Sequence, residues 1–455
     1  MESTHGRVAL KTVEHMPVAE IDDTSADAMA NSVAAAASRH GPVFRRMLPS
    51  ARGDDTSFVY LVGPEANRFV LQTHREHFSH RGGWKKVFAG RFERGLLNCD
   101  DPEHARDRSM MNPAFTIAYM SKYVPIMRRV VEERTAGWVE RREVDLSAEA
   151  RSITFDVAAE ALVGLQPGEE VDRLRDLFYE IAYADRAGLR VRSDAAAIER
   201  ITCAREQLDA MLLDAIAERR KSPTDDVLGM LTRARDEEGR PFSDRQLLGQ
   251  VHILLLAGHE TTTTVAAWTL YLLAAHPEYA IRVRAELEAL LSETGGEITL
   301  GDVRAMRLLG YAINEAGRLY PPAGILPRTT LDDVEFGGYL LPAGTKVRLS
   351  VSGGHRLPNI FHNPNAFDPD RYAPPREEDR KNPYAFILFG GGPRICIGIN
   401  FAQVEIKILA AHVLCRLALE RIPGREIRQI YHGPMAAIPT GIPVRVTGLS
   451  GSRDG

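Results

Sequence analysis

In the stretch Phe386 to Ile408, FILFGGGPRICIGINFAQVEIKI, one of only four cysteines in a 455-residue chain stands in unusual company. Gly390, Gly391 and Gly392 precede Cys396, Arg394 lies two residues before it, and Gly398 two after. A cysteine that only fills a core wants an apolar pocket and no special backbone. Glycines on both sides indicate instead that something large comes close to the main chain. A phosphate cradle would need Lys-Ser or Lys-Thr after the glycines, and neither follows. A nucleophilic thiol would need a histidine partner, which the sequence cannot place. The remaining reading is a thiolate ligand to a large flat metal cofactor, just before a helix start whose dipole and free N–H groups favour negative sulfur. Cys415 takes the ordinary reading, since it falls in step with Phe401, Val404, Ile408 and Ala411 on one helix face.

A second group lies in FSDRQLLGQVHILLLAGHETTTTVAAWTLYLLAAHPE. Ser243 with Gln246 three residues later reads as a capping box, and Pro277 ends the run. Such a helix of about 33 residues would be roughly 50 Å long, enough to cross a domain. It is apolar on all faces from Ile253 to Leu256 and should be buried. Its middle nevertheless holds Gly258 and four consecutive threonines, which are poor helix formers. Threonines that bond back to carbonyls and bend the helix would explain one or two of them. They would not explain the acid Glu260 in the same turn. A missing side chain beside hydroxyls and a carboxylate suits a groove that holds a small ligand and feeds it protons. A third group, Glu315 and Arg318 in YAINEAGRLYPP, lies three apart on one helix face among leucines. A lone buried pair stabilises poorly, which suggests a third partner, and Arg371 in NAFDPDRY is on offer.

Taken together these stretches resemble the cytochrome P-450 family of haem-thiolate monooxygenases. FGGGPRICIG matches its F-x-x-G-x-R-x-C-x-G signature at Phe389, Gly392, Arg394, Cys396 and Gly398. AGHETT matches its oxygen-groove motif at Ala257, Gly258, Glu260, Thr261 and Thr262, EAGR its E-x-x-R, and FDPDR its F-x-P-x-R, all in the family's order. The resemblance extends from about residue 40 to 446. It implies haem b with Cys396 as axial thiolate, pushing electron density through the iron to favour O–O cleavage. Glu260 and Thr261 are implied as the groups that deliver protons to the dioxygen being activated. PEHARDRSMMNPAF resembles the family's H-x-x-x-R helix, which sets His104 and Arg108 toward the haem propionates, and Arg328 and Arg394 match two more propionate positions. Two carboxylates at the edge of a buried porphyrin need such cations whatever the family. His259 reads as a satisfied helix histidine. In GGHRLP, Leu357 replaces the family's frequent aspartate. The family's sterol demethylases usually carry His-Thr where Glu260-Thr261 stands, which argues against that branch.

The elements that must hold these residues are mostly helical. Residues 1–24 read as a loosely held arm, followed by an alanine-rich helix that stops at Gly41. PVFRRML and SFVYLVG are strand candidates. Helical periodicity then runs from about 102 to 292, broken near 165–170, KSPTDD and EEGRP. VEFGGYLLPAGTKVRLSV alternates as a sheet does, a last helix spans about Gly398 to Glu420, and AAIPTGIPVRV reads as a terminal hairpin. There is no internal repeat. The resemblance implies the family's mainly α (α+β) triangular-prism fold with a long central helix and a small β-rich lobe. One catalytic domain over 25–447 and a polar tail at 448–455 are expected.

Composition narrows the function further. Fifty-seven basic against 61 acidic residues leave a net charge of −4 with no basic block, which gives a nucleic-acid or membrane-surface partner no electrostatic support. From widely spaced cysteines with no C-x-x-C, neither a disulfide framework nor a cysteine-rich zinc site is readable, and no apolar run suits a signal peptide or membrane anchor. A soluble cytoplasmic monomer is expected. The activity implied is insertion of one oxygen atom from O₂ into a hydrophobic small molecule. No flavin or iron–sulfur module is readable, which implies electrons from a ferredoxin or flavodoxin with its reductase. A peroxide-using, isomerising or reducing member of the fold and a haem-based sensor are the alternatives. The intact Glu260-Thr261 pair weighs against the first three. The resemblance sets pocket walls at Trp84 to Leu97, Phe178 to Tyr183, Ala323 to Leu326 and Met435 to Ile438, all mostly apolar.

Overall fold

Ser243 Oγ accepts from the Gln246 N–H at 3.3 Å, and the Gln246 side chain accepts from the Ser243 N–H at 2.9 Å. This reciprocal cap starts an unbroken helix over Asp244–Ala275, 32 residues or roughly 48 Å at 1.5 Å per residue. The chain is described from a computed structural model over residues 10–48, 56–88, 92–182, 195–292, 295–432, 435–437 and 441–448. The helix Leu146–Ala158 packs along one side of the central helix, and Ala195–Lys221, Arg307–Leu319 and Ile399–Arg416 pack on the others. Wrapped this way, the central helix buries nearly its whole circumference, as its all-round apolar composition demands. Trp268 on it stacks on Tyr320 with ring centroids 3.6 Å apart. Their surroundings form one continuous core that includes Phe155, Leu255, Leu309 and Val404. No helix among the described residues is long and apolar enough to cross a membrane.

The β structure is peripheral. The largest sheet has five strands in the spatial order Val43–Leu48, Thr56–Leu61, Lys346–Ser350, Ile325–Thr330 and Phe78–Ser79. The strand Lys346–Ser350 runs antiparallel to Ile325–Thr330, with Arg348 opposite Pro327 and Lys346 opposite Thr329. A second sheet joins Leu417–Arg421, Pro443–Gly448 and Glu143–Asp145.

Three expectations need correction. Residues 10–24 are not a loose arm: Lys11–Thr12 pairs with Tyr339–Leu340, Val18 bridges Arg45, and Met16, Ala19 and Ile21 are buried. Short polar sequence hid those three apolar anchors; residues 1–9 lie outside the described residues. The last helix ends at Arg416 rather than Glu420, because Leu417–Arg421 gains a full ladder with Pro443–Gly448. The expected terminal hairpin does not form either. Met435–Ala437 pairs with Ile430–His432, while Pro443–Gly448 joins the sheet just described. Most of the polar tail, 449–455, lies outside the described residues.

A fully buried ion network holds the cysteine-bearing segment against this frame. Glu315 receives Arg318 through two bonds of 2.7 and 2.8 Å and Arg371 through two of 2.9 and 3.0 Å, all three side chains having no exposure. The Asp368 N–H adds a further bond to Glu315 at 3.0 Å. Arg318 also donates to the carbonyls of His355 and Pro364, and Arg371 to Glu378, so every buried charge has several partners. His355 carries the chain of contacts onward by accepting from the Ile387 N–H at 3.0 Å. Burial, reinforced by Arg318, holds that imidazole down to about 3, so it stays neutral and able to accept. Gly317 completes the fit, since a Cβ there would stand 2.3 Å from Leu388. Removing Glu315 leaves the buried Arg318 guanidinium with no carboxylate and Arg371 with Glu378 alone, a cost of roughly 3–5 kcal/mol. Glu315→Ala is therefore expected to give little soluble protein and a sharply lowered melting temperature. An unchanged thermal midpoint would mean the pair behaves as an ordinary surface bridge.

Candidate active site

Between Phe389 and Gly398 the backbone folds back on itself. The Cys396 N–H donates to the Phe389 carbonyl at 2.8 Å and the Ile395 N–H to the Gly392 carbonyl at 3.1 Å. Gly392 has φ +63°, and a Cβ there would stand 2.0 Å from the Leu71 carbonyl oxygen, so only glycine fits. Gly392 thus serves the loop and does not reach the cavity that the loop borders. Cys396 is exposed, and what it is exposed to is that cavity. Protein surrounds the sulfur otherwise, so burial pushes its thiol up, while a Gly398 backbone hydrogen bond and the Arg108 charge pull it back down. Arg108 is fixed there by donating to the Ile395 carbonyl at 2.6 Å and to Asn112 at 2.7 Å. Its helix, Glu103–Met111, is tied to the central helix because Gln250 donates to the buried Asp107 at 2.8 Å.

On another part of the wall a group of buried bases is crowded together. His104 shares its helix with Arg108, and Arg394 donates to the Cys99 carbonyl at 2.8 Å and stands 3.4 Å from Asp101. Arg328 donates only to its own neighbour, the Pro327 carbonyl, at 2.8 Å, and no carboxylate among the described residues lies within ion-pair distance of it. Burial, then the Arg394 charge, push Arg328 down to about 9 and His104 to about 4. His80 is likewise held well below the usual imidazole range by burial and by Arg328 and Arg394, and its Nδ1 is buried without a hydrogen-bond partner among the described residues. A bound anion would relieve this mutual repulsion. His80 was missed in the sequence, because FSHRGGWK carries no spacing that marks it. Only its place beside Arg328 reveals it.

The central helix supplies a third wall from Ala257, Gly258, Glu260 and Thr261. The Thr261 hydroxyl donates to the Ala257 carbonyl at 2.7 Å, Thr262 to Gly258 at 2.9 Å and Thr264 to Glu260 at 3.0 Å. The helix therefore keeps its course while satisfying its own hydroxyls. Glu260 pairs with Arg151 Nε at 3.1 Å; burial raises its carboxyl and Arg151 opposes that rise. His259 points elsewhere, with ring centroids 5.1 Å from Phe155 and 5.2 Å from Phe178.

These walls enclose one cavity of about 860 Å³. The structure brings to it Cys396, His104, Arg108, Arg328, Arg394, Phe389, Gly398, Ala257, Gly258, Glu260 and Thr261; Glu315, Arg318 and Arg371 stay behind it as support. Trp84, Phe88, Phe92 and Leu97 line it, as do Ala323, Ile325 and Leu326. Of the expected wall Phe178 to Tyr183, Ala182 lines the cavity while Phe178 belongs to the core; residues 89–91, Tyr183, the side chains of 435–437 and Ile438 lie outside the described residues. Leu162, Ile253 and Leu256 were not foreseen as walls, since their apolar spacing reads as ordinary core.

A cavity with a thiol on one wall, hydroxyl and carboxyl groups on a second, and on a third a crowd of bases of which Arg394 and His104 share the single carboxylate of Asp101, suits a flat, dianionic metal macrocycle. A family model described as Cytochrome P450 matches residues 16–443. Cyclooctatin synthase of Streptomyces melanosporofaciens is 34% identical over 76% of this chain and 78% of its own length. Sterol 14alpha-demethylase of Mycolicibacterium vanbaalenii is 30% identical, over 84% and 86% respectively. The retinoic-acid-bound cyanobacterial CYP120A1 superposes with a TM-score of 0.80 at 25% identity, covering 97% of this chain and all of that one. The chain belongs to the cytochrome P450 family, monooxygenases that use haem b held by a cysteine thiolate.

Proposed function

We propose that this protein inserts one atom of O₂ into an apolar small organic molecule, at a C–H or C=C bond, with two electrons from an external ferredoxin or flavodoxin and its reductase. The second oxygen atom leaves as water, so two protons must enter the cavity in each turnover. One observation carries the reading: a thiol, a group of anion-seeking bases and a proton-bearing pair all face a single, otherwise apolar cavity. The four cysteines are free thiols, which suits a reducing compartment such as the cytoplasm.

Each residue has a task on this reading. Cys396 Sγ holds the iron, and the Gly398 N–H with the Arg108 charge favours its ionised form. Arg328, Arg394, His104 and His80 receive the propionates, which would relieve their mutual repulsion. Phe389, Gly398, Ala257 and Gly258 shape the close walls. When bound, haem supplies the activation of dioxygen. Because the Thr261 proton is committed to the Ala257 carbonyl, Thr261 Oγ1 offers its lone pairs to the cavity and can orient a hydrogen-bond donor there. Glu260, raised by burial, can hold a proton and pass it inward.

The mostly apolar wall supports a hydrophobic substrate. So do the relatives named for cyclooctatin synthesis and sterol demethylation, and the neighbour that holds retinoic acid. Glu260-Thr261 in place of His-Thr argues against sterol demethylation itself.

Two measurements test the assignment. The reduced protein with carbon monoxide should show the far-red Soret band of a thiolate-ligated haem. Cys396→His should abolish the band and Cys415→Ala should leave it, whereas a thiolate spectrum surviving in Cys396→His would remove Cys396 as ligand. Thr261→Ala separates mechanism from helix packing. If the hydroxyl only satisfies the helix, the change is neutral or stabilising by up to about 0.7 kcal/mol. If it positions a proton donor, product per reductant consumed should fall on the order of tenfold or more while hydrogen peroxide rises at a similar rate of reductant use. Loss of such a group costs roughly 10²–10⁴-fold at most, and water can restore part of it.

A further inference from the structure

Six permanently cationic side chains and a single carboxylate line the cavity among the described residues, in a chain whose net charge is −4. Arg108, Arg328 and Arg394 are accounted for by the thiol and by the propionates, and Glu260 is paired with Arg151. Lys85, Lys346 and Arg348 remain. None of the three has a hydrogen bond or a carboxylate within ion-pair distance among the described residues. Lys85 and Lys346 are exposed and Arg348 is half-buried.

Their placement is built into the five-stranded sheet. Residues directly opposite one another share a face, so Arg348, Lys346, Pro327 and Thr329 stand together. Phe58 joins them, two residues before Tyr60, which pairs with Arg348. The Arg348 guanidinium lies 3.8 Å from the Phe58 ring centroid and the Lys346 ammonium 5.8 Å from it. Stacking fixes the guanidinium plane while leaving its edge N–H groups free to donate. Lys85 is brought alongside by the helix His80–Phe88, whose Gly82 and Gly83 lie against the same strand; a Cβ on Gly83 would stand 2.3 Å from the Pro327 carbonyl oxygen. The same strand face presents apolar Ile325 to the cavity at its other end, roughly 13 Å from Thr329 at about 3.3 Å per residue.

We propose that the substrate carries a carboxylate, held at the cavity mouth by Arg348, Lys346 and Lys85, with an apolar body reaching inward past Ile325. The inference rests on the monooxygenase reading above and narrows its substrate class. Arg348, preorganised on Phe58, makes the principal charge-assisted bond, and the two lysines add a less directional field. Solvent reaches this mouth, so the preference is moderate and sensitive to salt.

Equilibrium binding to the haem-loaded protein tests it, with hexadecanoic acid and retinoic acid each set beside its methyl ester. Affinity is read from the shift of the haem Soret band and by calorimetry. At low salt at least one acid should bind roughly tenfold more tightly than its ester, about 1.4 kcal/mol. Salt on the order of 0.5 M should erase most of that ratio without weakening the ester. The triple variant Lys85→Gln, Lys346→Gln, Arg348→Gln should bring acid and ester to within about twofold, whereas Arg348→Lys alone keeps part of the preference. Equal affinities for acid and ester, no binding of either acid, or a preference that survives the triple variant would each overturn the proposal. The carbon monoxide band separates the two levels. With the band present and the acid preference absent, only the carboxylate falls; without the band, the monooxygenase reading falls as well.

Discussion

A sulfur that must become negative lies where burial resists its charge, and the near side of the cavity is organised around that conflict. The Gly398 N–H and the Arg108 guanidinium are the protein's own counterweights. Each works only if it is held still. Arg108 is therefore fixed through the Ile395 carbonyl and Asn112, its helix is tied to the central helix through Asp107 and Gln250, and the loop closes through Cys396 and Phe389. A bound metal cation adds the larger share of the compensation, because it stabilises the thiolate directly. The protein's part is to keep the sulfur in place before the metal arrives.

Two sets of buried arginines show opposite solutions to the same cost. Arg318 and Arg371 are satisfied within the chain, by Glu315, Glu378 and several carbonyls, and so give a scaffold that needs no ligand. Arg328 and Arg394 are left short of anions, with His80 and His104 pressed neutral beside them. On the proposed reading that second set costs stability in the empty protein and would return it when a dianion binds. Binding and stability are thereby linked, and the loaded protein gains by mass action what the empty one lacks. The scaffold lies directly behind the loop because Gly317 and His355 contact Leu388 and Ile387.

What was legible in the sequence follows from which chemistry demands fixed spacing. Cys396 between glycines, Glu260 and Thr261 on consecutive positions, and Glu315 with Arg318 one turn on are short-range patterns, so a linear reading finds them. The central helix was legible because a reciprocal cap and Pro277 bracket it. Long-range relations were not. Arg151 as the partner of Glu260, His80 as a member of the basic group, and Leu162 beneath Gly258 depend on how helices pack, and no local signal marks them. Residues 10–24 were misread for the same reason: their strand partners and apolar contacts lie far along the chain.

The central helix also shows how polar groups enter an apolar core at low cost. Each of Thr261, Thr262 and Thr264 gives its proton to the carbonyl four residues back, so none of these three hydroxyls is an unsatisfied donor and the helix is not broken. The consequence is chemical as well as structural. A threonine whose proton is given to a carbonyl presents its lone pairs, and so can accept from a donor and orient it. On the proposed reading the acid supplies the proton, and Glu260 has one face on the cavity and the other on Arg151. Arg151 is itself a quarter exposed, so the pair forms a continuous polar connection between solvent and a cavity that is otherwise apolar. On that reading the division of labour between Thr261 and Glu260 follows from hydrogen-bond direction in the helix.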